Sequence, residues 1–177
     1  MIKTVSVTIS HVIGTVALIG LFISVGMTYQ IHFNDMQDQA TKAQLQVVAD
    51  HVSTLIVDIC SLGSTAQTGQ LLIKSLDLPA QVAQSSYNVS LVRTQAVTGE
   101  SVCAVLVRLT WKPNIYSESQ LFWNGQETLA QISGTLPEGF SSSQLQAKDS
   151  VTSGVSTSVV WYVKNGSNVT VGLGVKA

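Results

Sequence analysis

The sequence predicts an α+β protein: a long N-terminal apolar α-helix followed by an antiparallel β-sandwich-like domain. Three observations lead there. No Asp, Glu, Lys or Arg occurs between Lys3 and Asp35. A pattern of apolar residues at intervals of three and four then runs on to Leu62 without Pro or Gly. Beyond Gly63 the pattern becomes short runs rich in Val, Leu, Tyr, Trp and Thr, separated by Gly, Ser, Asn and Pro. The predicted division is residues 1–62 for the helix and 63–177 for an extracellular β domain.

The dense apolar core, Ile9 to Tyr29, has the roughly 20 residues that a bilayer requires. It exceeds a secretory signal's apolar region of about 7–15 residues, and no Ala-x-Ala-like cleavage site follows it, so it is read as retained. Lys3 before it and Asp35 and Asp38 after it place the N-terminus in the cytoplasm and the remainder outside. Tyr29 suits an interfacial anchor. Gly14, Gly20 and Gly26 recur every six residues and form no Gly-xxx-Gly pair, so they specify no single helix partner. His11 reads as an interfacial histidine in preference to a polar contact with a neighbouring helix.

The helix continues past the membrane. Met36, Ala40, Ala43, Val47, Val48, Val52, Leu55, Ile56, Ile59 and Leu62 form the predicted apolar stripe. Gly63 is its expected stop. A single helix from about Thr4 to Leu62 is favoured over a break at the capping pair Asn34-Asp35 and would be about 85–90 Å long. Its stripe must be covered, most simply by the downstream domain.

In that domain Leu71–Ile73 is a short apolar run. Tyr87–Arg93 and Val102–Trp111 read as a hairpin about a turn at Ala96–Glu100. Ser119–Trp123 enters an Asn124-Gly125 turn with Thr128–Ile132 as its partner. Ser156–Lys164 and Val169–Val175 form a second clear hairpin. Ser133–Ser153 reads as loop. Six or seven short strands make a small sandwich or curled sheet. Cys60, near the helix end, and Cys103, on the central strand, are a candidate disulfide pair; the alternative is two buried thiols.

Composition narrows the function. Net charge is -1, which leaves no basic face for nucleic acid. Only 11% of residues are charged, against about 25% in a typical soluble domain. Uncharged polar residues fill the gap, which suits an extracellular, glycosylated surface or one that packs against copies of itself. Asn88, Asn165 and Asn168 head Asn-x-Ser/Thr sequons and are candidate N-glycosylation sites, with ordinary turn and strand chemistry as the alternative. His11, His32 and His51 have no metal-ligand spacing, and no Gly-x-Ser-x-Gly or phosphate-binding loop is present. No catalytic residue, metal ligand or cofactor is therefore assigned, and the chain is read as not an enzyme.

Ser10-His-Val-Ile-Gly-Thr-Val-Ala-Leu-Ile-Gly-Leu-Phe-Ile-Ser-Val25 resembles the N-terminal helix of archaeal type IV pilins, including archaellins and the pilin-like accessory proteins of the archaellum. The match covers at most the first third of the chain. His11 stands where that family often has Pro. Of the usual basic-Gly leader end only Lys3 is present, so the leader is very short, was removed before this numbering begins, or is not processed. The resemblance implies an extracellular pilus-like filament for adhesion or motility. Its subunits are stored in the membrane, then extracted by an assembly ATPase and membrane platform. Their helices pack in a core formed here by Val12, Ile13, Val16, Leu18, Ile19, Leu21, Phe22, Ile23 and Val25. The alternative within the resemblance is a membrane-anchored envelope protein, such as an archaellum accessory or stator factor. A tethered enzyme is the third reading.

Overall fold

A computed structural model describes residues 2–95, 101–121, 131–140, 145–154, 157–166 and 168–176. Among the described residues one α-helix, α1, spans Ile2–Ser64 and nine strands follow it: β1 (Leu71–Ser75), β2 (Tyr87–Gln95), β3 (Ser101–Leu109), β4 (Tyr116–Gln120), β5 (Gln131–Ile132), β6 (Leu145–Lys148), β7 (Ser150–Thr152), β8 (Ser158–Asn165) and β9 (Asn168–Lys176). The chain forms two compact units, Met1–Ala40 and Thr41–Ala177. The boundary falls inside α1 and not at its end, because the second half of the helix belongs to the core of the β unit.

That unit is a sandwich of two sheets. One has the order β1-β8-β9-β5, with β6 also on β9; the other has the order β4-β3-β2-β7. All pairs are antiparallel except β5 with β9. Both expected hairpins form: β2 with β3, from Tyr87↔Leu109 to Gln95↔Ser101, and β8 with β9, closing at Asn165↔Asn168. The turn expected at Ala96–Glu100 lies outside the described residues, as do Phe122–Ala130 with the expected Asn124-Gly125 turn.

Three expectations are corrected. Among the described residues the third hairpin's strands do not pair with each other: Ser119 and Gln120 of β4 pair with β3, and Gln131–Ile132 lies parallel to β9 in the other sheet. Ser133–Ser153, read as loop, contains β6 and β7. These are edge strands with few inward residues, Leu145 and Val151 being the buried ones, and so little apolar alternation to read. The buried stripe of α1 is Leu45, Val48, Ala49, Val52, Ile56, Ile59 and Cys60, whereas Met36, Ala40, Ala43, Val47 and Leu62 of the expected stripe are exposed.

This stripe joins Tyr87 and Val89 of β2, Cys103, Val105, Val107 and Leu109 of β3, and Val160 and Tyr162 of β8 in one core. The helix also meets an edge strand of each sheet, β4 and β1. Gln46 and Ser53 donate side-chain hydrogen bonds to the carbonyls of Glu118 and Gln120 in β4 (3.4 Å each). Asp58 pairs with Lys74 of β1 at 3.2 Å. Covering edge strands in this way keeps their free backbone groups from templating association. Strand β8 is buried on both faces, because Val159, Trp161 and Val163 form a second small core with Leu145. The Trp161 Nε1 donates to the carbonyl of Leu173 (2.9 Å), and Gly172 on β9, directly opposite in the ladder, leaves room for the indole ring.

Candidate functional site: the exposed apolar helix

The described residues of the first unit are all helix. Each of the nine side chains expected to form a filament core or membrane surface, from Val12 to Val25, is between 54% and 77% exposed. Met27, Tyr29, Ile31, Phe33 and Met36 are exposed as well. Gly14, Gly20 and Gly26 have open space around them, so a neighbouring backbone has room to approach at each. Thr15 and Thr28 return their hydroxyls to the carbonyls of His11 and Ser24 (2.8 and 2.9 Å), which removes two polar groups from an apolar surface. By length and composition α1 is able to cross a membrane.

A second feature escaped the reading of the sequence. Tyr29, Phe33, Met36, Ala40, Ala43 and Val47 follow one another at alternating intervals of four and three and are all exposed. This is the spacing of a coiled-coil seam. From about Ala43 on, these residues occupy the side of the helix opposite the Leu45–Cys60 stripe. The two stripes interleave in sequence, so the expected single stripe mixed members of both. Separating them required knowing which side the β unit covers. Asp35, Asp38 and Lys42 fall between its members in sequence, on other sides of the helix.

The other predicted positions are placed as follows. Cys60 and Cys103 are both buried in the main core as thiols, the second of the two readings, and no disulfide joins them. Burial pushes the Cys103 thiol up, while the Arg93 charge pulls it partly back. A thiol held protonated in an apolar setting is a poor nucleophile. Asn165 and Asn168 are exposed at the β8–β9 turn; Ser167 of the first of these sequons lies outside the described residues. Asn88 is half-buried within β2, and its side-chain oxygen accepts from the Thr152 hydroxyl (2.7 Å).

Among the described residues no group of three or more His, Cys, Asp or Glu is placed to hold a metal. The polar groove between α1 and β4 includes Asp50 and Glu118, but Gln46 donates to Asp50 (2.9 Å) as well as to the Glu118 carbonyl, and the groove is open to solvent. A cavity of about 230 Å³ between Leu91, Ile132 and Leu173 carries one Lys and one Asp at its rim, Lys148 and Asp149. No protein-family model, curated protein or solved structure matches the chain.

Proposed function

We propose that this chain is a structural subunit of an extracellular type IV pilus-like filament, held in the membrane by its apolar helix until assembly. The observation that carries the reading is the exposed apolar surface of α1, which continues as an outer stripe to Val47. Lipid accounts for about 20 residues of it. Met36, Ala40, Ala43 and Val47 lie past Asp35, where water would be the alternative, and exposed apolar rows of this kind mark protein contacts. Copies of the same helix supply matching seams. Extraction then exchanges lipid contacts for helix–helix contacts in a homo-oligomeric core, driven by an assembly ATPase at a membrane platform. Adhesion or motility is the filament's role in this reading, and the exposed Asn165 and Asn168 at the β8–β9 turn are its candidate glycan sites.

Mass spectrometry of filaments sheared from the cell surface tests this. The chain is expected to dominate them, with its N-terminus at or just after Lys3. Its absence from filaments, with the chain retained in the membrane fraction, overturns the filament reading in favour of an envelope anchor. Substitution Ile19→Asp is expected to abolish both membrane storage and filament incorporation, because a carboxylate at the bilayer centre costs about 3 kcal/mol or more. Normal filaments of that variant would disprove the core assignment.

A further inference from the structure

Within the unit Met1–Ala40 the helix surface carries more order than lipid requires. Written in heptads abcdefg, the outer stripe places Tyr29 and Met36 at d and Phe33 and Ala40 at a, all of them exposed. Ile19, Phe22 and Gly26 stand in the same phase earlier in α1. The positions beside the seam are equally regular. Gln30 and Gln37 occupy e, and His32 and Gln39 occupy g. The two acidic residues of this unit, Asp35 and Asp38, fall at c and f, away from the seam.

Sorting of this kind bears on the partner. Charged residues at e and g set which helix pairs with which, and in what direction. Here Asp, Glu, Lys and Arg are absent from all four of those positions, so the flanks attract no oppositely charged partner and repel no identical one. A side-chain amide both donates and accepts, so a glutamine suits another glutamine across a seam. Lipid alone asks for no such order, because it touches every side of a helix alike. Two copies threaded through one membrane in the same direction are parallel, and parallel heptads set a beside a and d beside d at equal height.

We propose that the membrane-stored chain is paired in register with a second copy through the Tyr29–Ala40 seam before assembly. This rests on the membrane-insertion part of the proposed function, which makes the two helices parallel. It is a different contact from filament packing. An in-register pair is a closed two-fold interface, in which the same patch serves both copies. A helical filament is an open array of offset copies and takes a heterologous contact. Pairing thus occupies the seam during storage, and the pair must open before either copy is incorporated.

Disulfide trapping of the full chain, reconstituted at low density in phosphatidylcholine vesicles, tests this. Met36→Cys and Ala40→Cys place a thiol on the seam, whereas Ile31→Cys and Asn34→Cys place one at f and b, off the seam at similar height. All four positions are exposed and so tolerate substitution. The native Cys60 and Cys103 are buried, so the unsubstituted chain gives the background. After mild oxidation the two seam variants are expected to form covalent dimers severalfold more than the two off-seam variants. Equal trapping at all four positions overturns the seam. Greater trapping in a mixture of Met36→Cys and Ala40→Cys chains than in either alone overturns the in-register pair, by showing copies offset along the axis. Either result leaves the filament reading standing. Trapped pairs of a chain that is absent from sheared filaments support the pairing while the filament reading falls. A chain that does not float with the vesicles overturns membrane insertion and the pairing together.

Discussion

At the residue scale, close packing decides more than local preference. Gly63 was legible as a helix stop, yet α1 continues to Ser64 and the glycine is buried against the Tyr162 ring, which a Cβ would overlap. Alanine would gain about 1 kcal/mol of helix propensity. The clash with a fully buried ring costs about 1–3 kcal/mol, so Gly63→Ala is expected to lower stability on balance, measured as a reduced denaturation midpoint. Tyr87 is a second such residue: it was read as the start of a strand, but nothing in its neighbours reveals that its hydroxyl donates to the Pro79 carbonyl at 2.7 Å inside the core. Burial pushes its pKa up to about 12 from 10.0. The folded state therefore holds the proton more tightly than the unfolded chain. The contribution is intact below about pH 10 and is lost as pH rises toward about 12, a total of about 3 kcal/mol. Alkaline titration followed by circular dichroism should show the loss in wild type and a weaker one in Tyr87→Phe. The cysteines give the third residue-scale expectation. Without reductant, Ellman's reagent should find two thiols on denaturation and almost none in the native protein. A pair that reacts only after reduction would restore the disulfide.

At the scale of elements, legibility followed how much of an element's contact is visible in its own residues. The long helix was readable because its first half carries no charge and its second half no breaker. The β2–β3 and β8–β9 hairpins were readable because each is a dense β-branched pair around a turn. The partner of β4 was not, since Ser117, Glu118, Ser119 and Gln120 carry little apolar signal, and the strand is held by β3 on one edge and by Gln46 and Ser53 of α1 on the other. Likewise β5 is a two-residue strand whose parallel pairing with β9 brings together segments about 40 residues apart, which no local pattern encodes. The candidate site divided in the same way. The exposed apolar residues of the first half of α1 were legible from hydropathy alone. The outer stripe was concealed because apolar residues belonging to two opposite sides of one helix sum to an apparently single periodicity.

At the scale of the whole molecule, the two stripes of α1 give separate roles to residues a few positions apart, and this separation is open to experiment. Ile56 is fully buried in the core of the β unit, whereas Val47 is 69% exposed. Ile56→Ala removes packed methyl groups and is expected to cost about 2–5 kcal/mol of folding stability. Val47→Lys changes an exposed site and is expected to shift stability by no more than about 0.5 kcal/mol. If the outer stripe is a seam between copies, the order reverses for assembly. Val47→Lys places a charge where a neighbouring helix must pack and should be excluded from filaments, although the protein accumulates normally in the membrane. Thermal unfolding in detergent and immunodetection of the chain in sheared filaments measure the two effects independently. A Val47→Lys variant that folds normally and enters filaments at the wild-type level would show that the outer stripe is not a contact between subunits. The apolar helix would then stand as a membrane anchor, with lipid as its only necessary neighbour. Loss of incorporation with stability unchanged, in contrast, follows only if another chain occupies that side of the helix.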